Sequence, residues 1–325
     1  MRIAVTGSIA TDHLMVFPGR FADQFVADQL EKVSLSFLVD QLDIRRGGVA
    51  ANICFGLGSL GMSPVLVGAV GTDFDDYRSW LERHGVDTKS VHVSQTRHTS
   101  RFLCTTDETQ AQIASFYAGA MEEAREIELQ AVADRLGGID LVVVAPNDPV
   151  AMVRHTEECR QRGFAFAADP SQQLARMDGP DVRSLVEGAS YLFTNEYETS
   201  LLLRVTGWSE QDVRDRVGLW VQTHGPDGVR IEGKGVEPVT VAAHEVTDEA
   251  DPTGVGDAFR SGFLWGLHAK LNVERAAQAG CTLAAIVLET VGTQEYTLDR
   301  GDFSKRIAKT YGSEAAAEIE SKLRV

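Results

Sequence analysis

The sequence predicts an α/β sandwich around a mainly parallel sheet, with a small β-strand lid attached. Three observations carry this. Short apolar runs recur at 3–5, 65–67, 141–145, 164–168, 191–194 and 218–223, and several lack the alternation of a half-exposed strand. Amphipathic patterns at 52–60, 74–84, 149–160 and 195–203 lie between them, the rhythm of strand–helix crossover units. Two stretches break that rhythm. Residues 15–46 are rich in Phe, Val and Leu and include an extended-looking run at 33–39. Residues 99–117 alternate over 99–106 and 112–117 around a turn.

Taken in order, residues 1–14, 47–98 and 118–325 form the α/β body, and 15–46 with 99–117 form the lid. The last third is helical, at 258–269, 276–289, 303–311 and 314–323. The second of these is apolar almost all round, so it is expected to be buried.

Composition narrows the function classes. The chain has 325 residues, enough for about two domains, and 43% are hydrophobic. No stretch reaches the roughly 18 apolar residues of a membrane span. The N-terminus reads as a strand, with Asp12 interrupting any signal-peptide core, so a cytoplasmic protein starting at residue 1 is expected. With 31 Lys+Arg against 47 Asp+Glu the net charge is −16, which opposes binding to nucleic acid or an anionic membrane. Cys54, Cys104, Cys159 and Cys281 are scattered, as reduced thiols are, with neither a disulfide frame nor a zinc site indicated.

The strongest chemical signal is Thr253-Gly254-Val255-Gly256-Asp257-Ala258-Phe259 followed by Gly262-Phe263. Spacing at 258, 259, 262, 263 and 266 predicts a helix starting near 256. Gly254 and Gly256 leave backbone N–H groups around Val255 open to an anion, such as a phosphoryl group in flight. Asp257, in the first turn, would accept the proton of an attacking hydroxyl. A helix N-terminus should hold its carboxylate pKa low, tolerable where the hydroxyl becomes acidic only as the P–O bond forms. The same string also reads as a tight turn capped by Asp257. There is no P-loop, and Phe259 stands where a dinucleotide fingerprint needs glycine.

Four weaker elements accompany it. Arg46-Gly47-Gly48-Val49-Ala50-Ala51-Asn52 opens a helix, with paired glycines allowing close ligand approach and an amide at Asn52. Gly7-Ser8-Ile9-Ala10-Thr11-Asp12 follows the first strand, where α/β sheets bind ligands, and Asp12 would accept two vicinal hydroxyls. Asn195 and Glu198 lie one turn apart, placed either to orient hydrated Mg²⁺ and phosphate or to form a capping box. Thr223-His224-Gly225-Pro226-Asp227-Gly228 reads as a nucleotide-contacting turn or as a simple hairpin. With a charge of −16, a polyphosphate would have to be attracted locally, by N–H groups, a few cations and metal.

In this order the strings resemble the ribokinase-type (PfkB) carbohydrate kinase family, whose two signatures match Gly47-Gly48 through Asn52 and Asp251 through Phe259. Within it the chain is most similar to the actinobacterial adenosine kinases, over residues 5–15, 110–117, 169–174, 193–195, 251–259 and 292–295. The resemblance implies a three-layer α/β/α sandwich with a β lid, and ATP-dependent phosphorylation of the adenosine 5′-hydroxyl in purine salvage. It implies that Ser8, Asp12, Gly48 and Asn52 hold the ribose, and that Ser36 and Phe102 reach in from the lid. Phe116 would stack on the purine, Gln172 and Gln173 would flank the nucleoside, and Arg176 would close the site. Asn195, Thr223, Gly225, Gly228 and Gly256 would serve ATP, and K⁺ would sit among Asp251, Thr253, Val287 and Gly292. A homodimer through the lid is also implied. Val255 departs from the usual Ala or Gly. Asp227 replaces a lysine and His224 an apolar residue, which should weaken contacts with ATP. Other readings are a kinase of inosine, guanosine or a sugar, and a non-catalytic nucleoside binder.

Overall fold

Successive side chains of the apolar runs enter two different cores, so these strands have no polar face. The structure, a computed structural model, describes residues 1–25 and 35–323. Its strands are β1 (Ile3–Thr6), β2 (Ala10–Phe17), β3 (Gln41–Gly47), β4 (Val65–Val70), β5 (Asp87–Val93), β6 (Ser100–Asp107), β7 (Gln112–Tyr117), β8 (Leu141–Val144), β9 (Phe166–Ala168), β10 (Tyr191–Asn195), β11 (Leu219–Thr223), β12 (Val229–Gly233) and β13 (Val236–Val241). Nine of them form one sheet in the order β13-β12-β11-β10-β9-β8-β1-β4-β5. Its pairs are parallel from β11 to β5, and the β12–β13 hairpin adds an antiparallel edge.

The helices are α1 (Val49–Ser59), α2 (Asp75–Arg83), α3 (Leu129–Leu136), α4 (Pro149–Arg162), α5 (Gly179–Val186), α6 (Glu196–Thr206), α7 (Glu210–Arg214), α8 (Val255–His268), α9 (Val273–Leu288), α10 (Arg300–Tyr311) and α11 (Ser313–Glu320). Ile3, Val5, Leu141 and Val143 pack into one cluster with α1, α2 and α8 to α11. Ala4, Val142 and Val144 pack into a second with α3 to α7. The three-layer α/β/α sandwich follows directly from that division. The helix predicted over 276–289 is α9, buried as expected. It approaches α8 closely, because a Cβ on Gly262 would stand 2.6 Å from the Ala279 carbonyl oxygen. Among the described residues no helix is long and apolar enough to cross a membrane.

The lid is a four-stranded sheet in the order β3-β2-β6-β7. It begins at Ala10 rather than at residue 15, so Thr11 and Asp12 are lid-strand residues and not part of a loop. Residues 10–17 are mostly half-buried on both faces, which leaves no alternation to read. No strand forms over 35–40, and Val33 and Ser34 of the expected run lie outside the described residues. The aromatic content there serves packing: Phe37 lies 5.0 Å from Phe17 and 5.3 Å from Phe21, ring centre to ring centre.

Candidate active site

The N-terminus of α8 is shaped by its glycines. Gly254 caps the helix at φ 79°, in the left-handed region. A Cβ there would stand 2.8 Å from Thr293 Cγ2. The first N–H groups of a helix have no intrahelical acceptor, but that of Val255 is taken by the Pro252 carbonyl at 3.4 Å. The Val255 side chain packs against the core and does not line the cavity. Gly254 and Gly256 do line it. Of the three residues expected to form the anion turn, Gly254 and Gly256 thus face the cavity and Val255 does not.

Asp257 is held from another part of the chain. Asn52, on α1 and 205 residues away in sequence, donates from Nδ2 to Asp257 Oδ2 at 2.8 Å. Asn52 Oδ1 accepts from Thr293 Oγ1 and Gln294 Nε2, both at 2.9 Å. Gln294 Nε2 also donates to the Tyr77 hydroxyl at 2.6 Å, and Tyr77 donates to the Gly47 carbonyl at 2.9 Å. These bonds fix which face of the Asn52 amide points at the carboxylate. Burial pushes Asp257 up to about 6, against the lowering effects of Arg260 and Asn52. The helix terminus was expected to hold it low, and desolvation wins.

A 630 Å³ cavity opens beside Asp257, within the range of small-molecule sites. Ser8, Gly48 and Asn52 line it, and Ser8 Oγ accepts from Val49 N–H at 3.0 Å. Gly48 has φ 93°, and a Cβ there would meet the Ser8 carbonyl oxygen at 2.6 Å, so only glycine fits. The lid supplies one continuous row. Arg45, Asp12, Phe102 and Phe116 are paired across β3, β2, β6 and β7, which puts their side chains on one face. Asp12, Phe102 and Phe116 line the cavity. Burial pushes Asp12 up to about 6, with Arg45 lowering it and Asp251 raising it. Phe116 is half exposed, at 50%. Gln172, Gln173 and Arg176 complete this part of the wall. Ser36 is exposed and is not among the lining residues.

At and just beyond the carboxyl ends of β10 and β11, Asn195, Glu198 and Thr223 line the cavity. Asn195 and Glu198 form a full capping box, each accepting the other's N–H at 2.8 Å, and Ser171 Oγ donates to Glu198 at 3.2 Å. Both readings of that pair are thus compatible: a cap that also presents a carboxylate and an amide to the cavity. Residues 223–228 do form a hairpin, with Thr223 paired to Val229. Gly225 and Gly228 shape its turn, at φ 54° and 96°, without lining the cavity. His224 faces Glu196 at 3.2 Å. Asp251 accepts from Thr253 N–H at 2.9 Å and Gly292 N–H at 3.1 Å, and Arg45 Nη1 lies 3.5 Å away. The Val287 carbonyl accepts Thr290 N–H at 2.9 Å. Of the four residues expected around K⁺, Asp251, Thr253 and Gly292 are joined by hydrogen bonds, and the Val287 carbonyl is tied to Thr290 instead.

Sequence reasoning missed Tyr77, Thr293, Gln294, Asp169 and Arg260 as site components. Arg260 was the readable one, a charge set within the apolar run of Ala258, Phe259, Gly262 and Phe263.

The family model "pfkB family carbohydrate kinase" matches residues 9–300. A nucleoside kinase of Methanothermobacter thermautotrophicus is 28% identical over 290 residues, covering 88% of this chain and 92% of that one. The ligand-free nucleoside kinase of Burkholderia thailandensis superposes with a TM-score of 0.85 at 33% identity, over 94% of this chain and 99% of that one. The same enzyme in complex with ADP-inosine superposes with a TM-score of 0.81 at 32% identity, over 95% and 96% of the two chains.

Proposed function

The chain belongs to the pfkB family of carbohydrate kinases, and from that premise we propose that it transfers the γ-phosphate of ATP to the 5′-hydroxyl of a nucleoside. Adenosine is the substrate we assign, with ADP and AMP as products, a purine-salvage reaction. The reading is carried by the lid row: a hydroxyl-accepting carboxylate, Asp12, shares one sheet face with Phe102 and Phe116 over the Asp257 cavity. Aromatic faces suit a flat base and offer little to a bare sugar. Similarity to nucleoside kinases supports the same substrate class.

In this reading Ser8, Asp12, Gly48 and Asn52 hold the ribose, and Gln172 and Gln173 face the base. Asp257 accepts the 5′-hydroxyl proton as the P–O bond forms, and the N-terminus of α8 at Gly254 and Gly256 receives the phosphoryl charge. Asn195 and Thr223 contact ATP, with Gly225 and Gly228 shaping the turn beside it. Glu198 and Asn195 form a donor set of one carboxylate and one amide, which fits Mg²⁺ held through water. When bound, Mg²⁺ neutralises phosphate oxygens. K⁺ is assigned to the carbonyls of Asp251, Thr253, Val287 and Gly292, against the like charge of Arg45, whose guanidinium lies 3.5 Å from the Asp251 carboxylate.

A second reading, inosine or guanosine as substrate, is favoured by the amides of Gln172 and Gln173. An amide can turn to donate or accept, and so serves a 6-oxo purine as readily as a 6-amino one. The nucleoside kinase of Burkholderia thailandensis has a structure in complex with inosine. We also propose a homodimer through the lid. Its face away from the cavity carries Leu42, Ile44 and Ile113 at 56%, 57% and 44% exposure. ADP release measured side by side with adenosine, inosine, guanosine and ribose tests the assignment. A kcat/KM for ribose above that for adenosine would overturn the nucleoside reading, and preference for inosine would replace adenosine only. Sedimentation of Ile44→Glu against the parent chain tests the dimer, which an unchanged mass would refute.

A further inference from the structure

Arg260 and Asp169 have no part in the chemistry so far, yet both are built into the site. Arg260 is 8% exposed and Asp169 1%, and Arg260 Nη2 donates to Asp169 Oδ1 at 2.6 Å. A side chain on a helix leans back over the preceding turn. Arg260 therefore reaches Gly256, four residues earlier, and Nη1 lies 2.7 Å from the point where a Cβ on Gly256 would stand. The guanidinium occupies the space of the missing side chain. Phe193 flanks it, with the ring centre 5.6 Å from Cζ.

The pair is incompletely satisfied. Arg260 Nε and Asp169 Oδ2 are buried without a hydrogen-bond partner, as is Gln173 Oε1. A buried ion pair of that kind contributes little to stability, and apolar residues of similar volume would serve a core as well. Its place at the wall of the cavity, beside Gly256 and Asp257, gives it another use. Among the described residues lining the cavity, Arg176 and Arg260 are the basic ones, and Arg176 is exposed. The groups facing Arg260 are acidic: Asp257 on α8, Asp169 after β9 and Glu198 on α6. Tyr296 faces Asp257 as well. A chain of net charge −16 that receives an anion among three carboxylates needs a fixed positive charge there.

We propose that Arg260, anchored by Asp169, is the fixed cation of the phosphoryl-transfer site, held against Gly256 so that its charge supports both Asp257 and the anion-receiving turn. The proposal rests on the kinase reading above. Arg260 acts through Asp257 and the turn, so it is a positioning residue. Arginine suits this better than lysine, because one arm of the planar fork bonds Asp169 while the rest keeps its geometry.

Kinetics of Arg260→Gln provide the test. Its kcat is expected to fall about 10²-fold, comparable to losing one preorganised donor, while the nucleoside Kd stays unchanged. The acid limb of its kcat–pH profile moves to higher pH, because loss of a neighbouring positive charge makes Asp257 harder to ionise. Arg260→Lys returns the limb toward its original position. Arg260→Gln alone strands the Asp169 carboxylate in the core, so it is paired with the double variant Arg260→Gln/Asp169→Asn, whose amides can bond each other. A folded double variant with wild-type kcat, or an Arg260→Gln variant with reduced kcat but an unmoved acid limb, overturns the proposal. Failure of the kinase reading looks different: wild-type enzyme would release no ADP with any nucleoside or sugar, and the proposal would fall with it.

Discussion

Asp257→Asn should stabilise the protein while disabling it. Burial raises the Asp257 carboxyl from 3.8 to about 6, so the folded state binds this proton more tightly than the unfolded chain does. Between those two values the unfolded state carries fewer protons, and stability falls as pH rises. The full displacement corresponds to about 3 kcal/mol. The carboxyl is partly exposed to the cavity, and solvent screening lowers the figure to about 1–2 kcal/mol. Asparagine is close in shape to the protonated carboxyl and can still accept from Asn52. It removes the cost of ionisation, and for 325 residues that gain is a rise in Tm of about 2–3 °C. Thermal melts of both proteins at pH 7.5 and pH 4 provide the assay, alongside kcat. The gain should be present at pH 7.5 and vanish at pH 4, with kcat reduced by at least about 10²-fold. A variant less stable at pH 7.5, or equally stabilised at both pH values, would refute burial as the cause. An unchanged kcat would remove Asp257 from the mechanism.

Three further outcomes are expected. The kcat/KM profile should lose activity as pH falls through about 6, since Asp257 and Asp12 both titrate there, and a profile flat from pH 8 to pH 5 would contradict this. Gln294→Leu removes one of the two donors to Asn52 Oδ1 and the donor to the Tyr77 oxygen. An unmade buried hydrogen bond costs about 1–2 kcal/mol, so kcat should drop about tenfold, and wild-type kcat would show that the network does not orient the base. Gly48→Ala combines φ 93° with a contact at 2.6 Å. It should cost about 2 kcal/mol or more, and an unchanged urea midpoint would disprove the constraint.

Much of the body was legible because its signal is local. A strand covered on both faces shows as a short apolar run whatever its partners are, and the runs near residues 3, 65, 141, 166, 191 and 219 are all strands of the large sheet. Strand β5 and the β12–β13 hairpin lie at the sheet edges. They mix exposed and buried positions and left no comparable run. The stretch 35–40 looked extended, yet Phe37 is drawn into the Phe17–Phe21 cluster instead.

By itself, then, the sequence determined the alternation of doubly covered strands with helices, the glycine turn before α8 and the candidacy of Asp257, all properties of neighbouring residues. The tertiary structure alone decided what those residues face. The register of four lid strands put Asp12, Phe102 and Phe116 in one row. Contact across 205 residues gave Asp257 its partner Asn52. Burial outweighed the helix terminus in setting its proton affinity. Register, long-range contact and desolvation depend on which distant segments meet, and no local periodicity encodes that.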